Sequence, residues 1–77
     1  MSIQVMYFAS LREAMGREKD MIEVDSPIPA SQAWVAATGQ QEMPDKVLIA
    51  INHEYADADA LVHSGDELAF FPPVTGG

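Results

Sequence analysis

Apolar and polar positions change their period several times along the chain, and each change marks an element. From Ile3 to Ala9 they alternate, with Ile3, Val5 and Tyr7 on one face and Met6 and Phe8 on the other, which predicts a strand. Ser10-Leu11-Arg12-Glu13 then has the form of a capping box, with Ser10 as cap and Glu13 reaching back to it. Leu11 and Met15 are four apart and share the inner face of a short helix, of about one to two turns. Gly16 stops that helix by turning left-handed. Asp20 to Asp25 alternates weakly and reads as a second strand, antiparallel to the first because the connection is short. Ser26-Pro27-Ile28-Pro29 is a break: its two prolines exclude a central strand and lead into a helix start.

Ala30 to Thr38 is the main helix, ended by Gly39, with Ala30, Ala33, Trp34 and Ala37 on one stripe. Trp34 is expected to plug the core over its small neighbours. The helix has a poor N-cap, since Ser31 lacks a Glu or Gln three residues on, so packing must hold it. Gln40 to Asp45 is a polar loop. Val47 to Ile51 is an unbroken apolar run suited to a strand buried on both faces. Asn52-His53 fits a two-residue turn into a short return strand, Glu54 to Ala56. Asp57 to Ser64 is expected to be a loop with room for one helical turn, Gly65-Asp66 a turn, and Glu67 to Phe71 the last strand. The first and last strands are the most apolar and belong side by side, parallel, at the centre. The pattern gives a single α+β domain over 1–77, a mixed sheet with one main helix on one face. That arrangement is the β-grasp, or ubiquitin-like, fold, with 72–77 as an extended C-terminal tail.

Composition narrows the chemistry. The chain has 77 residues, 48% of them hydrophobic, enough for one small core. It has no cysteine, which excludes disulfides, thiolate metal sites and a thiol nucleophile. No apolar stretch approaches the length of a membrane span and no leader pattern opens the chain, so a cytoplasmic protein is expected. The formal net charge is −8, which disfavours nucleic acid and anionic membranes. All four cations (Arg12, Arg17, Lys19, Lys46) precede Val47, while five acids and no Lys or Arg lie beyond it. Simple solubility accounts for any one acid; the asymmetry as a whole points to an acidic surface beside the tail and a basic partner.

Within the chain no catalytic centre assembles. There is no nucleophile elbow and no phosphate-binding glycine loop. His53 and His63 are ten apart without further ligands nearby, so each reads as a solvated loop histidine and no metal is expected. Asp57-Ala58-Asp59 opens like a calcium loop, but Leu61, Val62 and Leu68 occupy positions that need oxygen or glycine. A solvated acidic loop is the better reading.

The terminus remains. Phe70 and Phe71 end a strand, and alternation places one of them in the core without saying which. Pro72 and Pro73 end strand pairing and stiffen the segment beyond them, and Val74 and Thr75 favour extension. Gly76 and Gly77 carry no side chain and can pass a gap too narrow for a Cβ. A free carboxylate is ionised and unreactive at neutral pH, so it needs activation, for which an acyl-adenylate made from ATP suffices. Gly-Gly alone also fits a flexible end; on a Pro-Pro spacer after an apolar strand it is a far stronger signal.

Tyr7-Phe8-Ala9-Ser10-Leu11-Arg12-Glu13, Leu48-Ile49-Ala50-Ile51-Asn52 and the block from Ser64 to Gly77 carry a resemblance over essentially the whole chain. The chain resembles the small, sulfur-carrying subunit of molybdopterin synthase, the MoaD family. It departs from the family between Thr38 and Lys46, where it is shorter. The resemblance implies an E1-like adenylating enzyme that uses ATP to activate Gly77, and a sulfur donor protein that converts the adenylate to a thiocarboxylate. It further implies insertion of the tail into the large subunit of molybdopterin synthase. There the sulfur attacks cyclic pyranopterin monophosphate and builds the dithiolene. Gly77 is then the carrier residue, Gly76 and Thr75 the spacer, and Phe70, Phe71, Pro72, Pro73 and Val74 the partner contacts. The chain itself would bind no cofactor. The alternatives are a carrier for thiamine thiazole or another thiolated product, a ubiquitin-like modifier of lysines, and a plain interaction domain with an incidental tail.

Overall fold

The computed structural model describes residues 2–44 and 46–72. Strand β1 (Ser2–Tyr7) opens the fold with strict alternation, and Ile3, Val5 and Tyr7 are buried. Helix α1 (Ala9–Met15) comes at once, and β2 (Lys19–Glu23) returns antiparallel to β1. A two-residue strand, β3 (Ile28–Pro29), leads into the main helix, α2 (Ala30–Thr38). Then come β4 (Leu48–Ile51), β5 (Glu54–Ala56), the short β6 (Leu61–Val62) and β7 (Glu67–Phe71). The main sheet has the order β2-β1-β7-β4-β5, with β1 and β7 central and parallel. This is the expected mixed α+β sheet of the β-grasp. Among the described residues no helix is long and apolar enough to cross a membrane.

One pairing escaped the sequence reading. Strands β3 and β6 form a separate two-stranded sheet. The span after Asp57 therefore holds a single turn, closed by Ala60 N–H donating to the Asp57 carbonyl (3.0 Å), and then a short strand. Pro29 is tolerated because it sits at the last position of a two-residue edge pairing. The pairing serves α2: Ala30 N–H donates to the Ala60 carbonyl (2.9 Å) and Ser31 N–H to the Ala58 carbonyl (3.0 Å). The loop thus satisfies the first amides of a helix whose own sequence has no cap. At the other end Gly39 is left-handed (φ 78°) and Thr38 Oγ1 donates to the Trp34 carbonyl at 2.8 Å.

The capping box is also corrected. The residue before α1 is Phe8, no side chain caps it, and Ser10 lies within the helix. The Phe8 carbonyl accepts from Leu11 N–H (3.1 Å) while Phe8 N–H donates to the Phe70 carbonyl (3.2 Å). Phe8 is the last residue tied to β7, so the chain turns there, and Ala9 takes a positive φ of 51° to make the turn. Asn52 (φ 51°) and His53 (φ 73°) form the expected tight turn.

The core lies between α2 and the inner sheet face. Trp34 is 1% exposed and meets Phe70 edge-on (centroids 4.9 Å, 88°) and Tyr7 edge-on (6.4 Å, 84°). Such geometry suits ring quadrupoles and adds to area burial. The Tyr7 hydroxyl emerges at the core's margin and donates to Asp20 Oδ2 at 2.9 Å. Burial, helped by the neighbouring carboxylate, pushes its pKa up to about 12. Arg17 grips the same carboxylate and donates to the Ala37 carbonyl at 3.1 Å, joining the α1–β2 loop to the C-terminus of α2.

Candidate functional site

The alternation of β7 divides its two phenylalanines. Phe70 pairs across with Tyr7 and Ile49 and is wholly buried. It is a core residue, which corrects its expected role as a partner contact: burial under Trp34 leaves it nothing to offer. Phe71 points to the opposite, helix-free face and is half-buried. It stacks on Phe8 (centroids 4.7 Å, 9°) and lies 6.4 Å from the Tyr55 ring. Pro72 is half-buried beyond it. Pro73, Val74, Thr75, Gly76 and Gly77, on which the remaining site assignments fall, lie outside the described residues.

Register explains why the outer face is apolar. Leu48 stands opposite Phe71, Ala50 opposite both Ala69 and Tyr55, and Met6 opposite Ala69. Small alanines in the middle and rings around them leave a groove of about 200 Å³ bordered by Phe8, Tyr55, Phe71, His53 and Glu67. Tyr55 is 81% exposed at its rim. Phe8 and Tyr55 do not stand out in the sequence as site residues. A signal for Phe8 exists, since it shares the face opposite Tyr7; Tyr55 needs the β4–β5 register.

Charge is distributed by the strands and not by the halves of the sequence. Lys19 stands opposite Met6, at the end of the sheet where Phe71 and Pro72 lie. Glu54, Asp66 and Glu67 lie at the other end, around the Asn52-His53 turn. The acids beyond Val47 are thus divided: β5 returns towards the exit of β7, so that Ala56 stands opposite Ile49, level with Phe70, and Asp57 follows on that side, while Glu54, Asp66 and Glu67 lie away from it. At that far end Asp66 accepts from His63 N–H (2.8 Å) and Asn52 Nδ2 (3.0 Å). Those two bonds, the backbone amide first, hold its carboxyl below the usual range. His63 faces Asp66 and His53 faces Glu67, each at 3.8 Å. Among the described residues no group of three or more His, Asp or Glu could hold a metal ion.

Among the described residues this face offers stacked rings suited to contact with a protein surface. The model of the ThiS family matches residues 5–77. The molybdopterin synthase sulfur carrier subunit of Escherichia coli (strain K12) is 38% identical over 97% of this chain and 99% of its own. The crystal structure of small archaeal modifier protein 1 from Haloferax volcanii covers all of both chains with a TM-score of 0.80 at 30% identity. A chain from the complex of subunits 1 and 2 of molybdopterin-converting factor from Helicobacter pylori shares the fold, with a TM-score of 0.64 at 20% identity over the whole of both chains. The chain belongs to the ThiS family and, within it, to the molybdopterin synthase sulfur carrier subunits, the MoaD family.

Proposed function

We propose that this chain carries sulfur in molybdenum cofactor biosynthesis, as the small subunit of molybdopterin synthase. The near full-length likeness to carrier subunits with that name carries the reading. The reactive group is the α-carboxyl of Gly77. An E1-like enzyme joins it to AMP from ATP, releasing pyrophosphate. Hydrosulfide then attacks the acyl carbon, AMP leaves with the C–O bond broken, a proton is lost to solvent, and a thiocarboxylate remains. Within the large subunit that sulfur is delivered to cyclic pyranopterin monophosphate. Gly76, which has no side chain, lets the end pass into a narrow site, Thr75 completes the spacer, and Pro72, Pro73 and Val74 contact the partner. Phe71, with Phe8 and Tyr55, forms the apolar dock, since flat aromatic surfaces anchor protein interfaces. Catalytic side chains come from the partners.

Intact-mass analysis of the protein from its native host tests this. The expected product gains the mass of sulfur replacing oxygen, confined to Gly77. Deleting Gly77 is expected to abolish molybdopterin formation while the thermal melt stays the same. A truncated chain that still supports synthesis would refute the reading. The likeness to a small archaeal modifier protein favours one second reading, attachment of Gly77 to lysines of other proteins. An isopeptide-linked ladder in the same host would reveal it.

A further inference from the structure

We propose that the docking face is electrically polarised. Arg12 and Lys19 form a basic rim that meets a carboxylate on the protein receiving the tail. This rests on the carrier reading and names a feature of the partner surface.

The groove over Phe71 does not end at Phe8. Phe8 also borders a second groove, lined by Met6, Arg12, Glu18 and Lys19. Gln4 and Lys19 carry the depression on to Met21, which is 66% exposed on the edge strand. A row of adjoining depressions therefore crosses the sheet from Tyr55 to Met21, apolar over Phe71 and more polar past Phe8. Along the strands its charge balance shifts, with both cations and the single acid of their groove, Glu18, at the Phe71 end. Lys19 stands level with Met6 and Ala69, towards Phe71, while Glu67 and Glu23 lie towards the opposite end.

The two rim cations are available. Among the described residues Arg17 is held by Asp20 and by two backbone carbonyls. Arg12 and Lys19 are exposed, and neither has a side-chain hydrogen bond or ion pair among the described residues. On a chain of net charge −8, two unpaired cations sharing a groove with the one acid Glu18 leave a local positive excess against the overall field. A partner matched to the overall charge alone would be basic everywhere. Complementarity with this rim instead requires a carboxylate beside the mouth that takes the tail, with any basic groups facing the Glu67 end.

The test measures association and dissociation rates between this chain and the recombinant molybdopterin synthase large subunit of the same organism, at low and high salt. Rim charges act mainly on the association rate, so R12E/K19E is expected to slow association at least ~10-fold at low salt with little change in dissociation. The deficit should shrink at high salt, where exposed charges are screened. The neutral pair R12Q/K19Q should show a smaller loss in the same direction, and it decides the matter if the reversed pair melts early. Association of R12E/K19E and R12Q/K19Q within twofold of the unaltered chain would overturn the proposal. Phe71→Ala separates the two claims. If it alone weakens binding, the carrier reading stands and the basic rim falls. If the unaltered chain does not bind the large subunit, both fall.

Discussion

Phe70 and Phe71 are chemically identical neighbours with opposite duties, and their substitution should separate stability from docking. Phe70→Ala empties the space beneath Trp34 and is expected to cost about 3–5 kcal/mol, a large part of what a domain this small possesses. Phe71→Ala removes a half-buried ring from the outer face and should cost only about 1–2 kcal/mol. Urea denaturation with a large-subunit binding assay distinguishes them: the first variant loses fold, the second loses partner. Tyr7 makes a prediction in pH. Its folded pKa of about 12 lies above the ordinary phenol value near 10. The stability it contributes is therefore present below pH ~10 and lost as pH rises towards about 12. Spectrophotometric titration of Y55F, which leaves Tyr7 as the sole tyrosine, should show late ionisation coincident with alkaline unfolding. Asp66 works in the opposite sense. Its lowered pKa gives stability above the ordinary carboxylate range that disappears as pH falls through its folded value. D66N should flatten the acid limb of the stability profile, read as the urea midpoint between neutral and acidic pH.

Elements follow sequence where local and tertiary demands agree. The run from Ala30 to Thr38 was legible to the residue because a stripe of alanines, Trp34 and a terminal glycine all specify one helix. The turn at Asn52-His53 was legible for the same reason: few residues other than glycine tolerate positive φ so well as Asn. Two features were not legible. The β3–β6 pair joins residues far apart in sequence, each strand too short to carry a period, so no local signal marks it. Ser10 and Glu13 satisfied a capping pattern, yet the ladder between β1 and β7 ends at Phe8 and turns the chain early. The competing principle was tertiary pairing over local propensity. Ser10→Ala tests that account: with no cap bond to lose, the thermal melt should shift by less than about 0.5 kcal/mol in equivalent stability. A loss of about 1 kcal/mol or more, typical of a true cap, would contradict it. Of the candidate site, Pro73 to Gly77 lie outside the described residues, so their assignment rests on the sequence alone. The dock was only half readable, because Phe8 and Tyr55 reach Phe71 through register.

For the whole molecule, the arrangement sorts properties by face and by end. One sheet face is sealed by α2 and carries the stability; the other is bare, ringed and available. One end combines Arg12, Lys19 and Glu18 with the exit of β7, and the other holds Glu54, Asp66 and Glu67. The parallel pairing of β1 with β7 has a further consequence, in biosynthesis. The centre of the sheet is made by strands from opposite ends of the chain, so it cannot close until the final strand has left the ribosome. Contacts so distant in sequence also form slowly. A product terminated before Phe71 lacks the complete central strand, cannot bury Trp34 fully, and should be cleared by proteolysis as an unfolded chain. Folding thus acts as an inspection step: copies that survive are those whose synthesis has passed Phe71.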